Sequence, residues 1–272
     1  MAMKERLDVL LVQQGHFDSR ETAKKAIMAG LVFVAGERVD KAGTKVLIDA
    51  GIEVKGKPHP YVGRGGLKLE RAIQEFALDL TNQVMLDIGA STGGFTDCAL
   101  QNGAAYVYAI DVGYNQLSWK LRQDPRVNVM ERTNFRYLTQ EELVGPTPTF
   151  ASIDVSFISL NKILPALYPL LSVGARVVAL VKPQFEAGKE QVGNKGIVRD
   201  ASIHQEVLEH VIQMALQESF SPLELTYSPI TGGDGNIEFL LLLEKAEKEQ
   251  GTNLLQPTRI QQEVMEAHQE LS

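Results

Sequence analysis

The chain has 272 residues, of which 44% are hydrophobic and 22% are charged, and its formal net charge is −7. This composition is typical of a soluble globular protein with one large domain, or with a large and a small one. A single cysteine, Cys98, excludes an intramolecular disulfide. The longest uncharged apolar stretch, residues 163–175, is shorter than the roughly 20 residues that a membrane-spanning helix needs, and the N-terminus lacks a signal-peptide pattern. We therefore expect a cytoplasmic protein without membrane insertion.

Charge is distributed unevenly along the chain. Residues 1–66 carry 11 Lys and Arg against 8 Asp and Glu, a net charge of +3, whereas residues 67–272 carry 16 against 26, a net charge of −10. A polyanion would therefore meet the N-terminal segment first. A small excess of this size also arises by chance, so charge alone does not identify a nucleic-acid partner.

The first 58 residues predict a small α+β domain. Three leucines at helical spacing around residue 10 predict a first helix, while Ser19 and Gly30 are suitable residues to begin and end a second one. Short β-like segments follow. Residues 59–66 are rich in glycine and predict a linker.

This N-terminal segment resembles the RNA-binding domain first described in ribosomal protein S4. The matching positions are an early arginine, a Ser-Arg pair, an alanine, a glycine and a β-turn, namely Arg6, Ser19, Arg20, Ala23, Gly30, Ala35 and Gly36. The resemblance implies that cations of this segment contact RNA phosphates. The candidate side chains here and in the linker are Arg6, Arg20, Lys24, Lys25 and Arg64. An ordinary solvated helix face is the alternative for those on the second helix.

Residues 67–246 predict a Rossmann-like α/β domain. Seven apolar strands alternate with helical segments, two of which are expected at residues 115–122 and 159–171. This alternation is typical of a mostly parallel sheet covered on both faces. Because only a short GGDG turn joins the last two strands, we expect the last strand to be antiparallel to the rest. Residues 247–272 predict a polar tail that contains a helix.

A glycine-rich loop, DIGASTGGF, follows the first strand of the predicted sheet. Ligands of such sheets bind beyond the carboxyl ends of the strands, and Asp111 ends the next strand, where its carboxylate can accept ribose hydroxyls. The loop reads G-x-x-x-G-G, which differs from the G-x-G-x-x-G of dinucleotide sites. It resembles motif I of methyltransferases that use S-adenosylmethionine. A nicotinamide dinucleotide and a turn without a ligand are the alternatives.

The resemblance to motif I implies a set of cofactor-binding residues. Asn134 follows the third strand, at the position that lies near adenine in such enzymes, although a simple turn asparagine is the alternative. The full set of candidates is Asp87, Gly89, Ser91, Thr92, Gly93, Gly94, Phe95, Asp111, Asn134 and Asp154.

Four charged residues are expected at the carboxyl edge of the sheet. Asp154 and Lys182 end the fourth and fifth strands, Glu238 begins the antiparallel last strand, and Lys68 begins the helix before the first strand. Together with VGRGGLKL, DIGASTGGFTDCAL, IDVSFISL, LVKPQFEAG, GIVRD and GNIEFLL, they resemble the TlyA family. Its members are often labelled hemolysins and share the core of FtsJ-like ribose 2'-O-methyltransferases. The resemblance spans residues 6–244.

The resemblance to the TlyA family implies that Lys68, Asp154, Lys182 and Glu238 are catalytic. It implies transfer of a methyl group from S-adenosylmethionine to a ribose 2'-hydroxyl of ribosomal RNA, at a cytidine, with rRNA or ribosomal subunits as partners. A ribose hydroxyl is a poor nucleophile, so an amine such as Lys182 is a suitable base or alkoxide stabiliser, with both acids orienting it. No metal is expected, because the five histidines show no ligand spacing.

The glycine-bearing segment after Lys182 carries two further candidate RNA-binding residues, Lys189 and Arg199. We expect this segment to order over the RNA strand, and a mobile surface loop is the alternative.

Three other functions remain compatible with parts of this pattern. A membrane-active hemolysin, suggested by the label of the family, would need an amphipathic or membrane-spanning element. A non-catalytic RNA-binding assembly factor would keep the fold without needing the four charged residues. A methyltransferase acting on a protein or a small molecule would not need the N-terminal RNA-binding segment.

Overall fold

The computed structural model describes residues 3–28, 30–55, 59–233, 235–247 and 250–271. The chain divides into two compact units, Met1–Arg64 and Gly65–Ser272. The division falls inside the linker predicted for residues 59–66, whereas the predicted end of the N-terminal domain lies outside the described residues. Each unit has its own apolar core.

The N-terminal unit packs two helices against short strands. Its elements are β1 (Lys4–Arg6), α1 (Leu7–Gln13), α2 (Arg20–Met28), β2 (Val32–Val34), β3 (Glu37–Arg38), β4 (Lys45–Leu47) and β5 (Ile52–Val54). Strand β1 pairs with β4, and β2 lies between β3 and β5, with antiparallel pairing throughout. Leu7, Leu10 and Leu11 are buried together, as their helical spacing predicts.

Both predicted ends of the second helix are confirmed. The Ser19 Oγ accepts the backbone N–H of Thr22 at 3.2 Å, which satisfies a donor at the start of α2. Gly30 has a φ of +72°, a left-handed conformation that ends helices at little cost for glycine. Strand β1 is an addition that the sequence pattern did not predict.

The larger unit is a seven-stranded sheet with associated helices. Its elements are α3 (Gly66–Glu75), β6 (Val84–Ile88), α4 (Gly94–Gln101), β7 (Tyr106–Ile110), α5 (Trp119–Arg122), β8 (Val127–Met130), β9 (Phe150–Ile153), α6 (Leu164–Leu167), β10 (Arg176–Val181), α7 (Pro183–Glu186), α8 (Ala201–Gln217), β11 (Phe220–Tyr227), β12 (Phe239–Lys245) and α9 (Arg259–Leu271). The strand order is β11-β12-β10-β9-β6-β7-β8. Strand β12 is antiparallel to β10 and β11, and the other neighbours are parallel. The predicted sheet and its antiparallel last strand are confirmed.

The helix predicted for residues 115–122 is wrong in extent, because only Trp119–Arg122 is helical. The backbone N–H groups of Gln116 and Leu117 donate to the carboxylate of Glu131 at 3.0 and 3.4 Å. Asn115 has a left-handed φ of +57° and Ser118 is extended, with a φ of −60° and a ψ of 144°, so the segment before Trp119 is a loop whose amides Glu131 satisfies. The partner is remote in sequence, and local periodicity therefore gave no sign of it.

The helix predicted for residues 159–171 is also corrected, because it is broken into three short pieces. These pieces are a 3₁₀ turn at Leu160–Lys162, the α-helical turn α6, and a second 3₁₀ turn at Tyr168–Leu170. Pro165 and Pro169 lack a backbone N–H and disfavour helical geometry in the residue before them. The apolar side chains still face the core, so the pattern predicted burial correctly but not continuity.

The C-terminal tail contains the predicted helix, α9, which packs on α8 and β11. Val264 and Ala267 are fully buried on its inner face. No helix in the described part of the chain is long and apolar enough to cross a membrane.

A buried histidine joins the two C-terminal helices and predicts acid sensitivity. Nδ1 of His204 in α8 lies 2.9 Å from Nε2 of His268 in α9. Burial, together with the nearby His268, lowers the pKa of His204 to about 4, against an ordinary value of 6.5. As the pH falls from about 6.5 toward 4, the unfolded chain takes up a proton at this position before the folded chain does, so stability is lost.

We expect His204 to remove about 1–2 kcal/mol of stability between pH 7 and pH 5, since one pKa unit corresponds to about 1.4 kcal/mol and neighbouring groups screen part of the shift. Urea unfolding of the wild type and of His204→Gln at both pH values measures this contribution. An equal loss of stability in both proteins would assign the acid sensitivity to other groups.

Candidate active site

The strand register brings the four predicted catalytic residues to one edge of the sheet. Asp154 follows β9, Lys182 follows β10 and Glu238 precedes β12. The antiparallel register of β10 with β12 makes Lys182 and Glu238 neighbours at this edge. Lys68 lies in the first turn of α3, and its side chain reaches the same place.

The four residues form a chain of ion pairs. The Lys182 Nζ lies 2.6 Å from Asp154 Oδ1, and the Lys68 Nζ lies 3.8 Å from Asp154 Oδ2. The Lys68 Nζ also donates to Glu238 Oε2 at 2.6 Å, and the Lys182 Nζ donates to Ser156 Oγ at 3.0 Å. Glu238 thus holds Lys68 rather than Lys182, so only Asp154 among the two predicted acids contacts Lys182 directly.

This group is largely shielded from water. The side chains of Glu238, Lys68 and Lys182 are 3%, 7% and 10% exposed, and that of Asp154 is 18% exposed. Each of the two carboxylates lies 2.6 Å from a lysine amine, the kind of partner that a buried carboxylate needs. We call Lys68, Asp154, Lys182 and Glu238 the charged tetrad.

A cavity of about 400 Å³ opens beside the charged tetrad. Five predicted cofactor-binding residues line it, namely Gly89, Ser91, Asp111, Asn134 and Asp154. The other five do not, namely Asp87, Thr92, Gly93, Gly94 and Phe95. Apolar walls come from Ile88, Ile110 and Phe135. An apolar slot with a few converging polar groups is typical of a small-molecule site.

Gly89 is required where the glycine-rich loop after β6 passes the end of β9. Its φ is +89°, and a Cβ at this position would lie 2.2 Å from the backbone oxygen of Asp154. The missing side chain therefore lets the loop and the tetrad aspartate share the floor of the cavity.

Asp111 is held ready to accept hydrogen bonds. Its Oδ2 accepts the backbone N–H of Ser91 at 2.8 Å, and its Oδ1 accepts that of Gly113 at 2.7 Å. Each carboxylate oxygen has a further lone pair, so both oxygens can still accept a hydroxyl. Together with the apolar walls, this arrangement fits the ribose and adenine of an adenosine.

Asp87 lies beneath the glycine loop rather than in the cavity. It is fully buried and accepts hydrogen bonds from the hydroxyls of Thr96 at 2.6 Å and Ser152 at 3.0 Å. Burial raises the pKa of Asp87 to about 6, although both hydroxyls oppose this shift. Asp87 thus ties β6 to α4 and β9, which shapes the loop above it.

The structure adds an aromatic residue that the sequence pattern did not single out. Phe157 is 91% exposed and also lines the cavity. Its φ is +64°, an uncommon conformation for a bulky residue, and its ring centre lies 5.1 Å from that of Phe185. Strain of this kind is concentrated at functional sites. Only its position three residues after Asp154 gave a sign in the sequence.

The predicted RNA-binding cations of the N-terminal unit lie on its surface. Arg6 and Arg20 both bind the buried Asp8, at 2.9 and 2.8 Å, and the pKa of this carboxyl is lowered to about 2, chiefly by the hydrogen bond from Arg6. Lys24 pairs with a glutamate one turn away, whereas Lys25 is exposed. Both arginines remain about half exposed, so their free N–H groups can still reach a phosphate.

The other predicted RNA-binding residues differ in their surroundings. Arg64 is half-buried, while Lys189 and Arg199 are exposed in the segment after β10. The side chain of Asn236 fixes this segment, accepting the Val198 N–H at 3.0 Å and donating to the Gly196 oxygen at 2.9 Å. The segment is therefore tied to the loop that carries Glu238.

Comparison with known proteins agrees with this architecture. A model of the FtsJ-like methyltransferase family matches residues 61–245, and a model of the S4 domain matches residues 5–52. The chain is 57% identical to a Bacillus subtilis protein named as a provisional rRNA methyltransferase, YqxC, over 98% of this chain and 95% of that protein. It is 43% identical to the 16S/23S rRNA (cytidine-2'-O)-methyltransferase TlyA of Mycobacterium tuberculosis, over 89% of this chain and 91% of that protein.

A solved structure supports the same grouping. It is described as a provisional hemolysin from Streptococcus thermophilus, is 55% identical, and covers 99% of this chain and 98% of its own, with a TM-score of 0.79. The chain belongs to the TlyA family of FtsJ-like methyltransferases.

Proposed function

We propose that this protein transfers a methyl group from S-adenosylmethionine to the 2'-hydroxyl of a cytidine ribose in ribosomal RNA. The observation that carries the proposal is the meeting of Lys182, Asp154, Lys68 and Glu238 beside a cavity of about 400 Å³. Relatives named as cytidine-2'-O-methyltransferases support the choice of nucleotide. We assign the protein to the cytoplasm, the compartment in which bacterial rRNA is modified.

The cavity residues divide the binding of the cofactor among them. Asp111 would accept the ribose hydroxyls, and the apolar walls around Phe135 would enclose the adenine. Gly89 and Ser91 would let the methionine part of the cofactor approach the glycine-rich loop. Asp87 sets the shape of that loop from below. When bound, S-adenosylmethionine would supply the methyl group of its sulfonium to the ribose oxygen and would leave as a neutral thioether.

Lys182 would hold the proton that leaves the ribose hydroxyl. A neutral lysine amine has two N–H groups and one lone pair. Asp154 Oδ1 and Ser156 Oγ can accept those two N–H groups, which leaves the lone pair for the hydroxyl. The ammonium that forms is then balanced by Asp154, so the proton transfer creates no uncompensated buried charge.

Lys68 and Glu238 act in this proposal as positioning residues. Lys68 approaches the second oxygen of Asp154 and thus limits the rotation of that carboxylate. Glu238 neutralises Lys68, which would otherwise compete more strongly for Asp154. The pair therefore keeps Asp154 directed at Lys182.

Phe157 would support the target base beside the cavity, since its exposed ring offers a stacking face. Replacing it by alanine should lower kcat/KM for rRNA about tenfold or more, because stacking of one base is worth about 1–3 kcal/mol. Affinity for S-adenosylmethionine, measured by calorimetry, should fall much less than kcat/KM, because Phe157 is one of many residues that line the cavity and its ring is 91% exposed. The control Phe157→Tyr keeps the ring and should keep the activity. Wild-type kcat/KM in Phe157→Ala would exclude this role.

The two units would divide recognition from chemistry. We assign residues 1–58 to RNA binding, 59–66 to a linker, 67–246 to catalysis and 247–272 to a tail that supports the catalytic sheet. The proposed RNA contacts are Arg6, Arg20, Lys24, Lys25, Arg64, Lys189 and Arg199. The match of residues 5–52 to the S4 domain supports this division.

The decisive experiment is methylation of intact ribosomal subunits with labelled S-adenosylmethionine, followed by mapping of the 2'-O-methyl position. We expect label in rRNA, on a cytidine ribose. Label that reached only protein, or no acceptor, would refute the proposal. A liposome-release assay on the same preparation tests the hemolysin alternative, and we expect no release.

A further inference from the structure

Two arginine and tyrosine pairs lie beside the cofactor cavity and take no part in the proposed chemistry. The Cζ of Arg132 lies 4.0 Å from the ring centre of Tyr114, and the Cζ of Arg136 lies 5.2 Å from that of Tyr137. The two tyrosines are 65% and 70% exposed. Each pair therefore presents an open aromatic face next to a positive charge. We call these four residues the paired-arginine surface.

The paired-arginine surface is connected to the cavity. Arg132 donates its backbone N–H to the Gly113 oxygen at 2.9 Å, which joins the loop after β8 to the loop after β7. Asn134 Oδ1 accepts from the backbone N–H and the Nε of Arg136 at 3.3 and 3.2 Å. Because Asn134 also lines the cavity, the surface borders the cavity that would hold the cofactor.

The two arginines of this surface form no ion pair within the described residues. Two other arginines nearby in the sequence do form ion pairs, since Arg122 binds Glu131 and Arg126 binds Asp124. Residues 67–272 carry a net charge of −10, which repels polyanions in general. Uncompensated cations on such a unit therefore mark the places where a polyanion can approach it.

We infer that the paired-arginine surface binds a single-stranded RNA segment next to the target nucleotide, an inference that rests on the proposed function. A guanidinium stacked on a ring keeps its N–H edges free for a phosphate. The open face of the ring can stack on a base, as aromatic side chains do in proteins that bind single strands. Both contacts tolerate any sequence, so the surface holds the strand without selecting the nucleotide.

Two variant proteins separate the phosphate contacts from the stacking contacts. One carries Arg132→Gln and Arg136→Gln, and the other carries Tyr114→Ala and Tyr137→Ala. Arg126→Gln is the matched control, because it removes a partly exposed arginine of the same unit that already has an acidic partner. For each protein we would measure methylation of intact subunits, affinity for S-adenosylmethionine, and affinity for deproteinised rRNA over a range of salt concentrations.

We expect the arginine variant to raise KM for rRNA about tenfold or more, with kcat and cofactor affinity unchanged. Its slope of log affinity against log salt should fall by about 1.4, since each phosphate contact on a single strand contributes about 0.7. The tyrosine variant should raise KM by about tenfold or more at an unchanged salt slope. Phenylalanine at both tyrosine positions should restore the wild-type KM, and the control should match the wild type.

Three outcomes would overturn the inference. The first is an unchanged KM for rRNA in both variants. The second is a loss confined to cofactor affinity, which would assign the surface to the cavity itself. The third is a raised KM for intact subunits with normal affinity for deproteinised rRNA, which would assign the surface to contact with a ribosomal protein. If the wild type methylates no rRNA, the proposed function fails separately, and the rRNA affinities still test the surface.

Discussion

Replacing Lys182 by methionine should reduce methyl transfer to rRNA by about 10²–10⁴-fold, the usual contribution of a positioned general base. Methionine keeps a similar length and fills the same space, so packing beside β12 is preserved. Asp154 still has Lys68 at 3.8 Å and is not left without a cation. Affinity for S-adenosylmethionine should stay near that of the wild type, because the Lys182 side chain does not line the cavity. Single-turnover methylation and calorimetry measure the two quantities separately.

A second substitution at the same position separates two roles for this amine. Lys182→Arg keeps a positive charge that can pair with Asp154, but a guanidinium stays protonated and cannot take up the hydroxyl proton. If Lys182 is the base, this variant should be as inactive as Lys182→Met. Substantial activity in Lys182→Arg would instead indicate that the cation stabilises the alkoxide. Full activity in Lys182→Met would remove Lys182 from the mechanism altogether.

The sheet was predictable because its strands are marked by apolar runs and by the lengths of the connections between them. Every residue of β10 after its first is buried, so an uninterrupted apolar run gives the strand directly. The antiparallel direction of β12 follows from the short turn before it, since a parallel crossover would need more chain. The two corrected helices failed for different reasons. Prolines that are visible in the sequence broke one of them. The other begins only at Trp119, because Asn115 is left-handed and Ser118 is extended, in a loop held by Glu131, a partner that only the folded chain brings near.

The sequence predicted which edge of the sheet carries the candidate site, but not which amine pairs with which carboxylate there. Topology alone brings strand ends together, and that was enough to gather four charged residues. Which carboxylate binds which amine depends on distances of about an ångström, so the pairing of Glu238 with Lys68, 170 residues away, did not follow from the sequence. The exposure of Phe157 depends on a left-handed backbone and on packing with Phe185, neither of which leaves a periodic pattern.

Replacing Lys68 by methionine should lower the free energy of unfolding by about 3–5 kcal/mol, the usual cost of leaving one partner of a buried ion pair unpaired. The reason is Glu238, whose side chain is 3% exposed and binds Lys68 at 2.6 Å. No other ion pair of Glu238 exists within the described residues. Urea unfolding at pH 7 measures the loss. Arg71→Met is a suitable control in the same helix, because its partner Glu75 is partly exposed and the loss should stay below about 1 kcal/mol.

The double variant Lys68→Met with Glu238→Leu decides whether this pair serves stability or chemistry. With both charges gone, no buried ion is left unpaired, and most of the lost stability should return, giving a coupling of several kcal/mol in the double-mutant cycle. Methyl transfer should not return with it, because Asp154 then lacks the cation that limits its rotation beside Lys182. A stable double variant with wild-type kcat would show that Lys68 and Glu238 only pack together. A Lys68→Met variant as stable as the wild type would refute a stabilising role for the pair of Lys68 and Glu238.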